Sequence, residues 1–421
     1  MFLKIVNNIV VRNFVSLGIL QVINYLAPLI IIPHLIRVLG VSTLGDINFS
    51  QTIISYAVVF VTFGYNYVGT KLVSENASNK NYIAEVLIES IIFRTILCIV
   101  GFIFLLLLAL FVNKINDVKW IVFSFYGLVV SQILFPTWFF HGLQKMRYVL
   151  YLGASSKIII LVLTFYFIND GDDGMLVPII NSCAGIVIGI VSLFFIVFKL
   201  DIPLSLKGRR GFLEIIKDNY YSGRDVFLQQ TYVSLYGPIN IIFLGLLASS
   251  EIVGYFTIVE KIIYIPIIFF SMAGQAFYPY AVKIFKDNKD RYFSVVKRFS
   301  LFIFALSLVV SCAFTAFHEL ILSLIIGHSN NSAEMLLFIM IFGIPFAAMG
   351  NVLTQIFVTI NKQDVLNRIS FIIMIVTLSL SWWIIESYGA TGLSVFIVLR
   401  QFIVVAVCVT IILKIFKKRL L

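Results

Sequence analysis

Three basic side chains stand where a lipid-facing helix would not tolerate them. Arg94, Lys261 and Arg400 each fall within an apolar stretch long enough to cross a bilayer. An ionisable group near mid-bilayer costs roughly 2.5–3.5 kcal/mol on insertion scales and usually faces a protein-lined cavity. Counted at about 1.5 Å per residue from the nearest span end, Arg94 lies roughly 16 Å deep and Lys261 and Arg400 roughly 14 Å. Three cations at one depth read as a cavity that receives an anion. There an Arg would grip phosphate bidentately and a Lys would act as a point charge. The competing reading is local pairing with carboxylates. Glu89 is five residues from Arg94, whereas helical partners want a spacing of three or four. Glu260 and Lys261 are adjacent, so they point about 100° apart.

Other charges suggest secondary roles. Glu260 lies deep in its span and is the best carboxylate for binding a coupling proton or cation, with a salt bridge as the bland alternative. Arg37 ends the first span and Asp46 starts the second; each suits a site or an interfacial anchor. Arg224 and Asp225 begin the seventh span and read as anchors. His141, His318 and His328 lie at span ends or in loops without metal-ligand spacing. The four cysteines, Cys98, Cys183, Cys312 and Cys408, each sit inside an apolar run and read as small core residues. No metal or cofactor is expected. Nucleotide-binding loops and the GxSxG and HExxH motifs are absent, so ATP-driven transport and hydrolysis have no visible machinery and no enzyme activity is expected.

These residues need apolar helices to hold them at depth, and the composition supplies those. The 421 residues are 61% hydrophobic and 12% charged, with a mean hydropathy of +1.04. Soluble domains carry about 25% charged residues, which excludes a water-soluble enzyme of this size. Stretches free of Lys, Arg, Asp and Glu run over 13–36, 47–70, 95–113, 120–144, 174–198, 226–250, 262–282, 299–318, 335–361 and 369–385. Each approaches or exceeds the ~20 residues that cross a hydrocarbon core. Two further spans are expected at 158–169, using the snorkelling stem of Lys157, and at 387–413, interrupted only by Arg400. The expectation is an all-α polytopic membrane protein with twelve transmembrane helices. The first apolar stretch is too long for a signal-peptide core and should remain as a membrane helix.

With the N-terminus in the cytoplasm, 25 of the 31 basic residues fall in inside segments. Only Arg37, Lys114 and Lys119 fall outside. That bias places both termini in the cytoplasm. It also accounts for the net charge of +11 without nucleic acid. The longest inside loop divides the chain into an N-terminal six-helix lobe (1–200), an inter-lobe loop (201–222) and a C-terminal six-helix lobe (223–421). The halves echo one another. Asn24, Tyr25 and Pro28 precede Gly45 much as Leu235, Tyr236 and Pro238 precede Gly254. A second echo sets Gly174 and Pro178 against Gly392 and Phe396, each opening a sixth span. Six spans per half give both halves one orientation, as in parallel-repeat transporters, and predict two lobes around a central cavity.

Several stretches resemble the polysaccharide biosynthesis flippases. Pro33, Leu35, Arg37, Leu39 and Gly40, followed by Gly45, match that family's P-x-L-x-R-x-L-G…G opening. Trp138, Phe140, Gly142, Lys145 and Met146 resemble its W-x-F-x-G-x-x-K-M segment, with Ser156 and Lys157 at the usual distance. His141 stands where the family often has Gln. Glu260, Lys261 and Ile262, and Tyr278 with Pro279, resemble the second-half pattern. The resemblance covers nearly the whole chain and is strongest to the O-antigen flippase (Wzx) family of the multidrug/oligosaccharidyl-lipid/polysaccharide exporter superfamily. It implies translocation of an undecaprenyl-pyrophosphate-linked oligosaccharide across a bacterial inner membrane. It also implies the polysaccharide polymerase and chain-length machinery as candidate partners. A related multidrug exporter and a membrane enzyme polymerising lipid-linked sugars are the alternatives. The first would favour acidic over basic residues at mid-depth, and the second usually carries a large outside loop.

Overall fold

The computed structural model describes residues 9–203, 211–235, 237–327 and 330–417. Lys4, Lys207, Arg209, Arg210, Tyr236, His328, Lys418 and Arg419, and the side chains of Arg12, Pro279 and Lys417, lie outside the described residues. Every regular element among the described residues is helical. This is what lipid demands, because a helix satisfies its backbone N–H and C=O groups within one segment.

Two compact units follow one another, 1–234 and 235–421. The first opens with α1 (Ile9–Thr62), which continues through Pro28 and Pro33 and breaks at Gly40, where φ is 79°. Two spans therefore share one helical assignment. A left-handed turn at Phe63 and Gly64 (φ 44° and 76°) leads into α2 (Tyr65–Glu75). Glycine is required here twice over: φ is positive, and a Cβ on Gly64 would meet Val226 Cβ at 3.0 Å. Then come α3 (Lys80–Phe111), α4 (Asn113–Asp117), α5 (Lys119–Phe125), α6 (Gly127–Leu134), α7 (Thr137–Gly142) and α8 (Met146–Phe167). A 3₁₀ turn (Gly171–Met175) leads into α9 (Leu176–Phe194), which ends in a π-helical turn to Lys199, and α10 (Phe212–Leu235) closes the unit.

The second unit holds α11 (Ile239–Leu247), α12 (Ser250–Asp287), α13 (Lys289–Ala316), α14 (His318–Ile326), α15 (Asn331–Ile341), α16 (Ile344–Thr359) and α17 (Gln363–Lys417). A break at Gly389 (φ 62°) splits α17 into two spans, while α15 and α16 form one bent span. Single spans run over Lys80–Phe111, Lys119–Gly142, Met146–Phe167, Gly171–Lys199, Ser250–Asp287 and Lys289–Ala316. Among the described residues, eight helices are long and apolar enough to cross a membrane, or nine with the bent pair, and two of them, α1 and α17, break at a glycine.

The core of the first unit gathers around Trp138, Phe139 and Phe140, all 0–1% exposed, with Tyr65, Val73 and Phe93. The approach is close: a Cβ on Gly69 would lie 2.5 Å from the Trp138 ring. The periphery is the reverse of a soluble protein's. Leu110 and Phe111 are 78% and 82% exposed, as expected of side chains that face acyl chains rather than water. Some elements differ from their expected bounds: α10 begins at Phe212, inside the expected inter-lobe loop, and ends at Leu235. The fifth span begins at Met146 rather than at Ile158, because counting charge-free stretches cannot see a helix that carries Lys157 within it.

Candidate functional site

In the first unit, Arg94 is 2% exposed and sits in the interior of α3. Its Nε donates to the Val61 carbonyl at 3.2 Å and its Nη2 to the Gln132 carbonyl at 2.7 Å. Both acceptors are carbonyls that their own helices abandon. The helical partner of Gln132 would be the N–H of residue 136, which is Pro136 and has none. The partner of Val61 would be Tyr65 N–H, lost to the left-handed turn at Phe63 and Gly64. An unmet buried carbonyl costs ~1–3 kcal/mol. Arg94 therefore cross-links two helix breaks.

In the same unit, Asp46 accepts from Lys114 Nζ at 3.1 Å, and both side chains are about three-quarters covered. Arg37 is exposed. Sequence reasoning gave Lys114 no role. Its partner was unreadable because the two residues lie 68 positions apart. Lys157 is a further cation missed as membrane-embedded: it is half-buried, eleven residues into α8.

The second unit treats its charges differently. Glu260 and Lys261 are the eleventh and twelfth residues of the 38-residue α12, both half-buried. Arg400 comes from the second span of α17, and Glu260 feels the fields of both Lys261 and Arg400. Arg400 Nη1 donates to Thr377 Oγ1 at 2.9 Å, tying the two spans of α17 across the Gly389 break. Its guanidinium also lies 5.9 Å from the Phe396 ring centroid. Close by in the chain, buried Ser381 donates to Asn240 at 3.0 Å and links α17 to α11. The result is a group of two cations and one carboxylate close enough to interact electrostatically. Of the sequence candidates, Lys261, Glu260 and Arg400 come together here. Arg94, Arg37 and Asp46 belong to the first unit.

Two hollows lie in the first unit among the described residues. A cleft of about 300 Å³ is lined by Tyr65, Tyr82 and Tyr221 with Glu85, Glu89 and Asp218. Its wall is pinned by a hydrogen bond from the Tyr65 hydroxyl to Asn219. A groove of about 540 Å³ lies between the start of α8 and the end of the π-helical turn. No sequence signal joins the linings, which come from segments far apart in the chain. Among the described residues, no group of His, Cys, Asp and Glu is arranged to hold a metal ion.

The comparisons with known proteins agree with this architecture. A protein of Escherichia coli (strain K12) named as an O-antigen transporter is 30% identical over 254 residues, 60% of this chain and 60% of that protein. That match spans less than two thirds of the relative's length. A Shigella dysenteriae protein of the same name is 23% identical over 406 residues, covering 94% of this chain and 98% of that one. Among solved structures, the lipid II flippase MurJ in an inward closed conformation superposes with a TM-score of 0.72 at 14% identity. The superposition covers 94% of this chain and 87% of that one and bears on the fold alone. The polysaccharide biosynthesis protein family matches residues 10–285. This chain is a multi-pass membrane protein that belongs to the polysaccharide biosynthesis protein family.

Proposed function

We propose that this protein is a flippase. It moves an undecaprenyl-pyrophosphate-linked oligosaccharide of the O-antigen type from the cytoplasmic to the periplasmic leaflet of a bacterial inner membrane. The observation that carries the reading is the cluster of Lys261, Glu260 and Arg400 inside the spans of the second unit. Its two cations suit a pyrophosphate, and its half-buried carboxylate lets an ion gradient be coupled to transport. The names of the two relatives support the same substrate class. The glycan is too polar to cross hydrocarbon unaided, so the protein must supply a lined path while the polyprenyl tail stays in lipid. No bond is made or broken in this scheme, and the protein acts as a carrier rather than an enzyme.

In this reading the halves 1–200 and 223–421, joined by 201–222, rock about a central cavity by alternating access. Both termini are cytoplasmic, consistent with the bias of basic residues. Arg37 and Asp46 flank the outer opening, and Arg94 holds the first half rigid beside the path. The polymerase and chain-length machinery receive the product. A multidrug exporter is the second reading, favoured by one feature: the cleft bearing Glu85, Glu89 and Asp218 would suit a cationic drug. Deletion of the gene in its native host separates the two. The flippase reading expects unpolymerised lipid-linked repeat units to accumulate on the inner leaflet and surface glycan to disappear. Drug sensitivity with intact surface glycan would overturn it.

A further inference from the structure

The groove of about 540 Å³ in the first unit has the chemistry of a lipid-phosphate site. Its floor and walls are apolar, with Leu143, Leu152, Tyr148 and Phe195, and its polar edge carries Lys145, Arg147 and Lys199. No carboxylate lines it, and among the described residues none of these three cations is ion-paired. A carboxylate nearby, Asp201, is engaged with Lys80 at 2.8 Å. The volume lies within the ~300–1,000 Å³ range of ligand pockets.

The loop that presents the cations is fixed in advance. Gln144 adopts a left-handed backbone, φ 55°. Lys145 N–H donates to the Phe140 carbonyl at 2.8 Å and Gln144 N–H to the His141 carbonyl at 3.0 Å. Asn13 Nδ2 holds the Gln144 carbonyl at 3.1 Å. The 22-residue α8 then starts at Met146 with no side-chain cap, so its positive dipole end adds to the field of the three cations. Partial desolvation, and secondly the charge of Lys80, push the Lys145 ammonium below its ordinary range. Such a cation gains from an anion that replaces its lost hydration. On the membrane side, Tyr151 is 61% exposed, an amphipathic ring of the kind that sits at headgroup level.

We infer that this groove binds the phosphate headgroup of an anionic membrane lipid, whose chain leaves along the apolar wall of Leu152 and Phe195. Basic pockets between membrane helices at the bilayer surface hold such headgroups. The inference is independent of the flippase reading, because it concerns binding and is measured without transport.

The test uses the full-length protein purified in neutral detergent. Binding of phosphatidylglycerol, undecaprenyl pyrophosphate, phosphatidylcholine and inorganic pyrophosphate is measured by native mass spectrometry. Wild type is expected to bind at least one of the two anionic lipids at least tenfold more tightly than phosphatidylcholine or inorganic pyrophosphate. The variant Lys145→Gln/Arg147→Gln/Lys199→Gln is expected to lose that preference. Preferential binding of both anionic lipids by wild type, lost in the variant, assigns a general anionic-lipid site. Preferential binding of undecaprenyl pyrophosphate only by wild type, lost in the variant, assigns the transported class of lipid. Should the triple variant misfold, Lys199→Glu at its exposed position is expected to weaken binding at least fivefold. Unchanged lipid binding in the folded variants, or inorganic pyrophosphate bound as tightly as the lipids, would overturn the inference.

Discussion

The two units bury positive charge by opposite means. In the first, the guanidinium of Arg94 is enclosed and gives two of its nitrogens to carbonyls, those of Val61 and Gln132, while its Nη1 is buried without a hydrogen-bond partner among the described residues. In the second, Lys261 and Arg400 share a half-buried region with Glu260, and Arg400 uses one nitrogen on Thr377. Equal depth therefore does not mean equal role. A cation that satisfies backbone acceptors is a structural tie, whereas cations that share a region with a carboxylate are the ones proposed to meet a passing anion.

The largest effect is expected from breaking the tie. Arg94→Met keeps the bulk of the side chain but leaves both carbonyls unmet, at ~1–3 kcal/mol each. Differential scanning fluorimetry in detergent should show the greatest fall in Tm of any variant considered, with Arg94→Lys recovering part of it. A wild-type Tm for Arg94→Met would remove the distinction between the units. Next is Arg400→Ala, expected to lower surface polysaccharide at least tenfold while its Tm falls far less than that of Arg94→Met. Arg400→Lys should keep part of the export, since a point charge replaces a bidentate one.

A double-mutant cycle with Glu260→Gln and Arg400→Gln sharpens the second half of the contrast. Groups in one electrostatic network couple by ~0.5–3 kcal/mol, so the two changes should be non-additive in thermal stability. Strict additivity would mean that Glu260 does not balance Arg400. The smallest effect belongs to the exposed pair of Lys80 and Asp201. The Lys80 ammonium holds the Asp201 carboxyl below the usual carboxylate range. Because the folded value is depressed, the pair's contribution is present above the ordinary carboxylate pKa of about 3.9 and fades as pH falls through the lower folded value. Lys80→Ala should therefore change Tm slightly at neutral pH and not at all at the acid end of a pH series.

The spans were legible in the sequence because hydrocarbon imposes long apolar runs and the basic residues mark their ends. Gly40, within the P-x-L-x-R-x-L-G stretch, is the position where α1 breaks into two spans. The start of the fifth span was not legible, since Lys157 lies inside α8 and a helix can carry such a side chain. The convergence of Glu260 with Arg400 across 140 positions is a tertiary fact that no spacing rule contains. The tie made by Arg94 was half visible. Pro136 announces that the carbonyl four residues earlier needs an outside donor, but nothing in the chain says which donor reaches it. The groove around Lys145 had one local sign, three cations near span ends, and no sign of its apolar wall.

The most direct measurement reconstitutes the purified protein into vesicles that carry an undecaprenyl-pyrophosphate-linked oligosaccharide and follows transbilayer movement of the glycan. The account predicts movement by wild type and at least a tenfold slower rate for a folded Arg400→Ala variant. Equal rates for the two, or no movement by a folded wild type under any ion gradient, would contradict it.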